Sequence, residues 1–330
     1  MSRKKLTALG VKLPLFPTTS VGSFPKPEYL AKARGEFNKG KIGADQLQEL
    51  ERKATKFWIE TQEKLGLDVL VDGEMYRGDM VAYFAERLLG FTQGGLVRSY
   101  GNRYYHKPII TGAVEWPGPV TVEWWKYAQS LTKKPVKGML TGAYTIMDWS
   151  FNEHYTDRHA TAIALAEVIR KEVEALIAAG CKIIQIDEPA LSVRPEELAT
   201  AIEAMETTTK GLDAYFITHA CYGAFERIYP GMLDLAVDNF DLEMSNNDLS
   251  LLEVFRHHPF TKDISFGVVD VHTHTMEADA TVRERVKKAM EVVSRDQIWV
   301  DPDCGLKTRT PEEAIEKLRL CVTAAKAMRN

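Results

Sequence analysis

His219 and Cys221 stand two residues apart at the end of an apolar run, behind Tyr215, Phe216 and Ile217 and ahead of Gly223. On a strand, side chains alternate between faces, so His219 and Cys221 point the same way. An imidazole and a thiol side by side make half of a tetrahedral zinc site. Taken alone, the pair is read more plainly as a packed core cysteine beside a hydrogen-bonded histidine. Two further donors would change that reading, and Glu243 and Cys304 are the candidates. Each follows its own apolar run. Thiolate and imidazole are the ligands zinc prefers, and a carboxylate is the most exchangeable member of such a set. Structural zinc sites use close cysteine pairs, which this chain lacks. A set spread over several strands points to catalysis, and activation of a substrate thiol is the chemistry zinc favours.

Such donors need a scaffold. The chain has 330 residues, 45% of them apolar, enough for one large barrel or two ordinary domains. A net charge of −4 gives no reason to expect nucleic acid or an anionic membrane as partner. No stretch approaches the roughly 20 apolar residues of a membrane span. The run after Arg3, Lys4 and Lys5 is too short for a signal peptide and is broken by Pro14 and Pro17. A cytoplasmic protein is expected. Its four cysteines, Cys181, Cys221, Cys304 and Cys321, are then no disulfide framework. Cys181 and Cys321 read as core thiols.

Eight apolar runs cover 18–23, 68–74, 136–141, 182–188, 214–221, 240–244, 264–272 and 298–304. Helical spacing fills 44–65, 159–179, 196–205, 224–235, 249–257, 279–294 and 311–328. Thr310 is placed to cap the last of these, with Pro311 in its first turn. Strands alternating with helices predict a (β/α)8 barrel as one domain over 1–330, with a doubly wound sheet as the alternative. Residues 90–119, rich in Gly, Tyr and Trp, break the alternation. They predict a β-rich excursion between strands two and three that forms a wall or lid over the barrel mouth. In this fold chemistry gathers at the C-terminal strand ends. Those ends carry Ser23, Glu74, Thr141, Asp187 with Glu188, His219 with Cys221, Glu243, Asp270 with His272, and Asp303 with Cys304.

Ordered motifs at 16–25, 73–74, 93–103, 121–131, 135–142, 184–191, 219–221, 242–248 and 301–309 together resemble the cobalamin-independent methionine synthases. The likeness spans essentially the whole chain and is to the C-terminal catalytic half of the long enzymes. It implies zinc held by His219, Cys221, Glu243 and Cys304. It implies homocysteine held by the turn Val21, Gly22 and Ser23 and by Glu74 and Asp187, whose carboxylates would meet its ammonium. Arg103, Tyr104 and Trp149 match positions that contact the donor pterin, and His272 matches the proton donor. Plainer readings stand beside these: Trp149 as packed lid, Asp187 and Glu188 as caps of the next helix, His272 as a satisfied strand-end histidine. The chain departs from the long enzymes at Gly223, where they carry a further cysteine, and at Thr273 and His274 after His272.

The expected reaction is zinc-dependent methyl transfer to L-homocysteine, giving L-methionine. The methyl donor is the open point. The long enzymes' N-terminal half supplies basic residues for the folate's polyglutamate tail, and it has no counterpart here. That favours methylcobalamin or a methylated corrinoid protein as donor, with a corrinoid-carrying protein as partner. The alternatives are 5-methyltetrahydrofolate, or transfer to another small thiol. Glu74 and Asp187 suit an amino-acid ammonium and not a sulfonate. A zinc-stabilised binding barrel without catalysis is the remaining class.

Overall fold

The computed structural model describes residues 2–98, 104–221, 223 and 225–329. Nine strands are formed among them: β1 (Leu89–Arg98), β2 (Tyr104–Glu115), β3 (Gly138–Thr141), β4 (Phe151–Asn152), β5 (Ile183–Asp187), β6 (Tyr215–Ala220), β7 (Asn239–Leu242), β8 (Asp263–Val269) and β9 (Ile298–Pro302). Parallel strands alternate with helices along the chain, the pattern of a (β/α)8 barrel. By its contacts the chain divides into two compact units. One comprises Met1–Tyr76, Trp124–Lys137 and Asn239–Asn330, the other Arg77–Glu123 and Gly138–Asp238.

In the first unit β7, β8 and β9 run parallel in register, with Leu242 opposite Phe266 and Ile264 opposite Ile298. Every residue of the three strands is buried, as a parallel sheet covered on both faces requires. The helices Ala44–Leu65, Asp279–Met290 and Pro311–Arg329 belong to this unit. Thr310 and Glu313 cap the last of these reciprocally, Glu313 N–H donating to Thr310 Oγ1 at 3.2 Å and Thr310 N–H to Glu313 Oε2 at 3.0 Å. The expected strands 18–23 and 68–74 are reduced to single bridges, Thr18 to Val300 and Leu70 to Val136. Side chains take over the missing ladder bonds. Gln62 donates to Val71 O at 2.8 Å and accepts from Val71 N–H at 2.9 Å. Asp68 Oδ2 accepts the Thr18 N–H at 2.9 Å.

In the second unit β3 pairs with β5 and β5 with β6, all parallel and buried. The β-rich excursion is the antiparallel pair β1 and β2, extended by a short parallel rung from β2 to β4. Glu172 of the helix Arg158–Ala178 ties down its end. The buried carboxylate accepts from Trp116 Nε1 at 2.7 Å, from Val120 N–H at 3.0 Å, and from Thr121 N–H and Oγ1, each at 2.7 Å. Residues 225–235, expected as helix, form two short 3-10 turns, Phe225–Arg227 and Gly231–Asp234. Pro230, between them, has no N–H to carry a helix through. Among the described residues no helix is long and apolar enough to cross a membrane.

Candidate active site

In the second unit, the buried parallel strand β6 delivers His219 as its penultimate residue and Cys221 just past its end. Only 4% of His219 and 5% of Cys221 are exposed. A ring nitrogen of His219 and Cys221 Sγ lie within 4.8 Å of one another, as strand alternation requires. The neighbouring strand β5 ends at buried Asp187, whose Oδ1 accepts from Gln185 Nε2 at 2.7 Å. Glu188 follows, and its N–H donates to His219 O at 2.8 Å.

Glu188 caps a helix, but not the one after it. Its side chain reaches back to the helix Ala143–Asp148, accepting Tyr144 N–H at 3.2 Å, Thr145 N–H at 2.8 Å and Thr145 Oγ1 at 2.6 Å. Burial pushes its carboxyl up to about 7, against the pull of those bonds. A Cβ at residue 142 would meet Glu188 Oε1 at 2.0 Å, so Gly142 is what lets the carboxylate approach. The capped helix ends at Trp149. The tyrosine that meets Trp149 is Tyr105, with ring centroids 6.4 Å apart, while Tyr104 is 63% exposed on the opposite face of β2. Arg103 lies outside the described residues.

The first unit supplies the rest. Glu243 follows β7 and is buried; its Oε1 is hydrogen-bonded to His272 Nε2, which follows β8. That bond raises the imidazole above its ordinary range, against the opposing effect of burial. The His272 N–H donates to Asp270 Oδ1 at 2.7 Å. Asp303 organises the turn after Glu243. It accepts from the N–H groups of Met244 at 3.0 Å, Ser245 at 2.9 Å and Asn246 at 2.7 Å, and from Ser245 Oγ. Burial pushes its carboxyl up to about 7. Cys304, half-buried, is the next residue and is close enough to act electrostatically on His272.

The Val21, Gly22 and Ser23 turn is bound to two other loops of this unit. Leu306 N–H donates to Ser23 O at 2.7 Å, and Phe24 N–H to Gly73 O at 3.1 Å. A Cβ at residue 305 would meet Ser23 Oγ at 2.1 Å, so Gly305 allows the loops to close. Glu74 sits in the left-handed region at φ 58°, with its N–H donating to Asp72 Oδ1 at 2.9 Å. A non-glycine residue held there marks a constrained loop. Ser23, Glu74, Glu243, His272 and Cys304 thus belong to one unit, and Asp187, Trp149, His219 and Cys221 to the other. Sequence reading missed Tyr105, the preceding helix as the one Glu188 caps, and the organising role of Asp303. A buried acid that receives backbone N–H groups looks in sequence like any surface acid.

Comparison with known proteins decides the family. Residues 16–327 match the family model of the cobalamin-independent synthase catalytic domain. The chain belongs to this family. A 5-methyltetrahydropteroyltriglutamate–homocysteine methyltransferase of Flavobacterium johnsoniae is 42% identical over 99% of the chain and 44% of that protein. One from Saccharophagus degradans is 44% identical over 96% of the chain and 43% of that protein. The chain therefore spans less than half the length of these relatives. Among solved structures, a B12-independent methionine synthase from Shewanella sp. W3-18-1, in complex with selenomethionine, superposes with a TM-score of 0.85. It is 27% identical, over 96% of this chain and 98% of that one.

These findings correct the expected methyl donor. The family is cobalamin-independent and its members are named for a folate donor, so methylcobalamin, a methylated corrinoid and a corrinoid-carrying partner protein are all overturned. The expectation gave weight to an absent surface for the polyglutamate tail. A tail anchor contributes binding alone. Release of a methyl group from the folate depends on an acid at the leaving nitrogen, and the hydrogen bond that His272 gives to Glu243 favours the protonated imidazole.

Proposed function

We propose that this chain transfers the methyl group of a 5-methyltetrahydropteroyl glutamate to L-homocysteine, giving L-methionine. The observation that carries the proposal is the donor set. A buried imidazole and thiol end β6 with their ligating atoms within 4.8 Å of one another, and Cys304 is the proposed third donor. Two thiols and an imidazole are donors that zinc prefers. Glu243 is the proposed fourth donor. Zinc at these residues would supply the Lewis acidity that keeps a substrate thiol deprotonated at neutral pH.

The chain's own residues do the remainder. The Val21, Gly22 and Ser23 turn, Glu74 and Asp187 bind homocysteine, the two carboxylates taking its ammonium. Trp149, with Tyr105 behind it, forms the wall on which the pterin ring stacks. Arg103, which the family resemblance matches to a pterin contact, is proposed as a further donor contact, while Tyr104 faces away from this wall. The substrate sulfur attacks the methyl carbon in line; the S–C bond forms as the bond from carbon to the ring nitrogen breaks. His272, held by Glu243, gives its proton to that nitrogen, and the thiol proton has already left to solvent. A chemistry that needs reduced thiols suits the cytoplasm.

The test is methionine formation by the zinc-loaded protein from homocysteine and 5-methyltetrahydropteroyltriglutamate. Turnover that falls at least a hundredfold in His272→Ala is expected. No methionine from any folate donor, with zinc bound and the protein folded, would sink the proposal.

A further inference from the structure

The surface beyond Trp149 carries more positive charge than its own carboxylates balance. Strand alternation puts Tyr105, Lys107 and Ile109 on one face of β2. Tyr105 meets Trp149, Ile109 pairs with Phe151, and Lys107 Nζ lies 4.4 Å from the centroid of the Phe151 ring. Two guanidiniums stand near. Arg158 Nη2 donates to Asp148 Oδ1 at 2.6 Å, and Arg194 Nε to the same oxygen at 3.2 Å. Glu197 takes the other edge of Arg158, at 2.7 Å from Nε and 2.8 Å from Nη2, and also accepts the Tyr144 hydroxyl at 2.8 Å. Three cations thus share two carboxylates.

Arg158 is held by both carboxylates through Nε and Nη2. Arg194 holds half of one carboxylate oxygen, and 47% of its side chain is exposed. Lys107 is half-buried and has no carboxylate within ion-pair distance among the described residues. Burial lowers its affinity for the proton, Asp148 opposes that, and the guanidiniums of Arg158 and Arg194 add to it. A half-desolvated ammonium left beside guanidiniums is unfavourable unless an anion joins them.

We propose that Lys107 and Arg194 form a subsite for the glutamyl carboxylates of the donor's tail. The inference rests on the folate reading above and adds to it where the tail binds. The ring stands at Trp149, the aryl segment passes Phe151, and each added glutamate brings one carboxylate to this edge. Arg194 presents its outer nitrogens as a fork that a carboxylate meets with two bonds, and Lys107 acts as a point charge.

Equilibrium dialysis tests this with 5-methyltetrahydropteroyl monoglutamate and triglutamate on the full chain. Wild type, Lys107→Ala, Arg194→Ala and the double variant are compared, with circular dichroism to check folding; Lys107→Gln and Arg194→Lys replace any variant that misfolds. The wild type should bind the triglutamate about three- to tenfold more tightly. Each single variant should shrink that advantage and the double variant should abolish it, with monoglutamate binding changed less than about twofold, and 0.5 M salt should erase it in the wild type. Equal affinity for both forms in the wild type, or an advantage that survives the double variant, would overturn the subsite and leave the donor assignment standing. Failure of both forms to bind would overturn the donor assignment and the subsite with it.

Discussion

The pairing of His272 with Glu243 joins the proposed proton donor to the proposed fourth zinc ligand. Because the hydrogen bond raises the folded-state value of His272, the stabilisation it brings is fully present below the unfolded value near 6.5 and is lost as pH rises through the raised one. An NMR titration of the imidazole in metal-depleted protein should therefore give a midpoint above 6.5, and Glu243→Gln should lower it. A midpoint at or below 6.5 in the wild type would mean that the bond does not hold in solution. Neither effect was legible in the sequence, where the two residues are separated by a whole strand-helix unit. Their types and strand-end positions were legible, since each follows a buried apolar run.

At the scale of elements, two buried charges pin the segments that carry function. Glu172 receives Trp116, Val120 and Thr121. Replacing it with alanine leaves several buried donors without an acceptor, and a loss of about 2–4 kcal/mol is expected in denaturant unfolding. A change within 0.5 kcal/mol would show that water takes its place. Lys317 does the same for the loop after β8. Its side chain is fully buried, and its ammonium donates to Asp270 O at 2.7 Å and Thr275 O at 3.1 Å, one carbonyl on each side of His272. Lys317→Met should speed amide hydrogen exchange in 270–277 by at least tenfold while leaving β9 protected. Uniform exchange across the first unit would instead mean a global loss of stability. Helical spacing over 311–328 carries no sign of this role. That role depends on which loop the last helix covers.

For the molecule as a whole, the large buried core and the donor set make independent contributions. Trp58, Trp299, Phe24, Phe84, Phe240 and Phe266 are all buried to 1% exposure or less. A core of this size does not need a metal to fold. Cys221→Ser and Cys304→Ser should each lose bound zinc, measured by atomic absorption, while the circular dichroism spectrum and cooperative unfolding persist. Full zinc occupancy in both variants would show that the ligands are others.

Most strands and helices could be read from the chain, because burying a parallel strand on both faces demands an unbroken apolar run, and a helix demands its own period. The candidate donors at strand ends could be read for the same reason: β6 brings His219 and Cys221 to one side by alternation alone. What failed were the segments whose backbone bonds go to side chains. Residues 18–23 and 68–74 look like strands in composition, yet Gln62 and Asp68 take the bonds a neighbouring strand would have made. Tyr105 rather than Tyr104 reaches Trp149 because the pleat of β2, set by its pairing with β1, decides which face each residue takes. Glu188 and Asp303 became capping groups only when the fold brought distant backbone N–H groups to them. Local chemistry and periodicity are properties of the chain; the partner a buried polar group finds is decided by tertiary packing, because an unmet buried group costs more than any local preference can return.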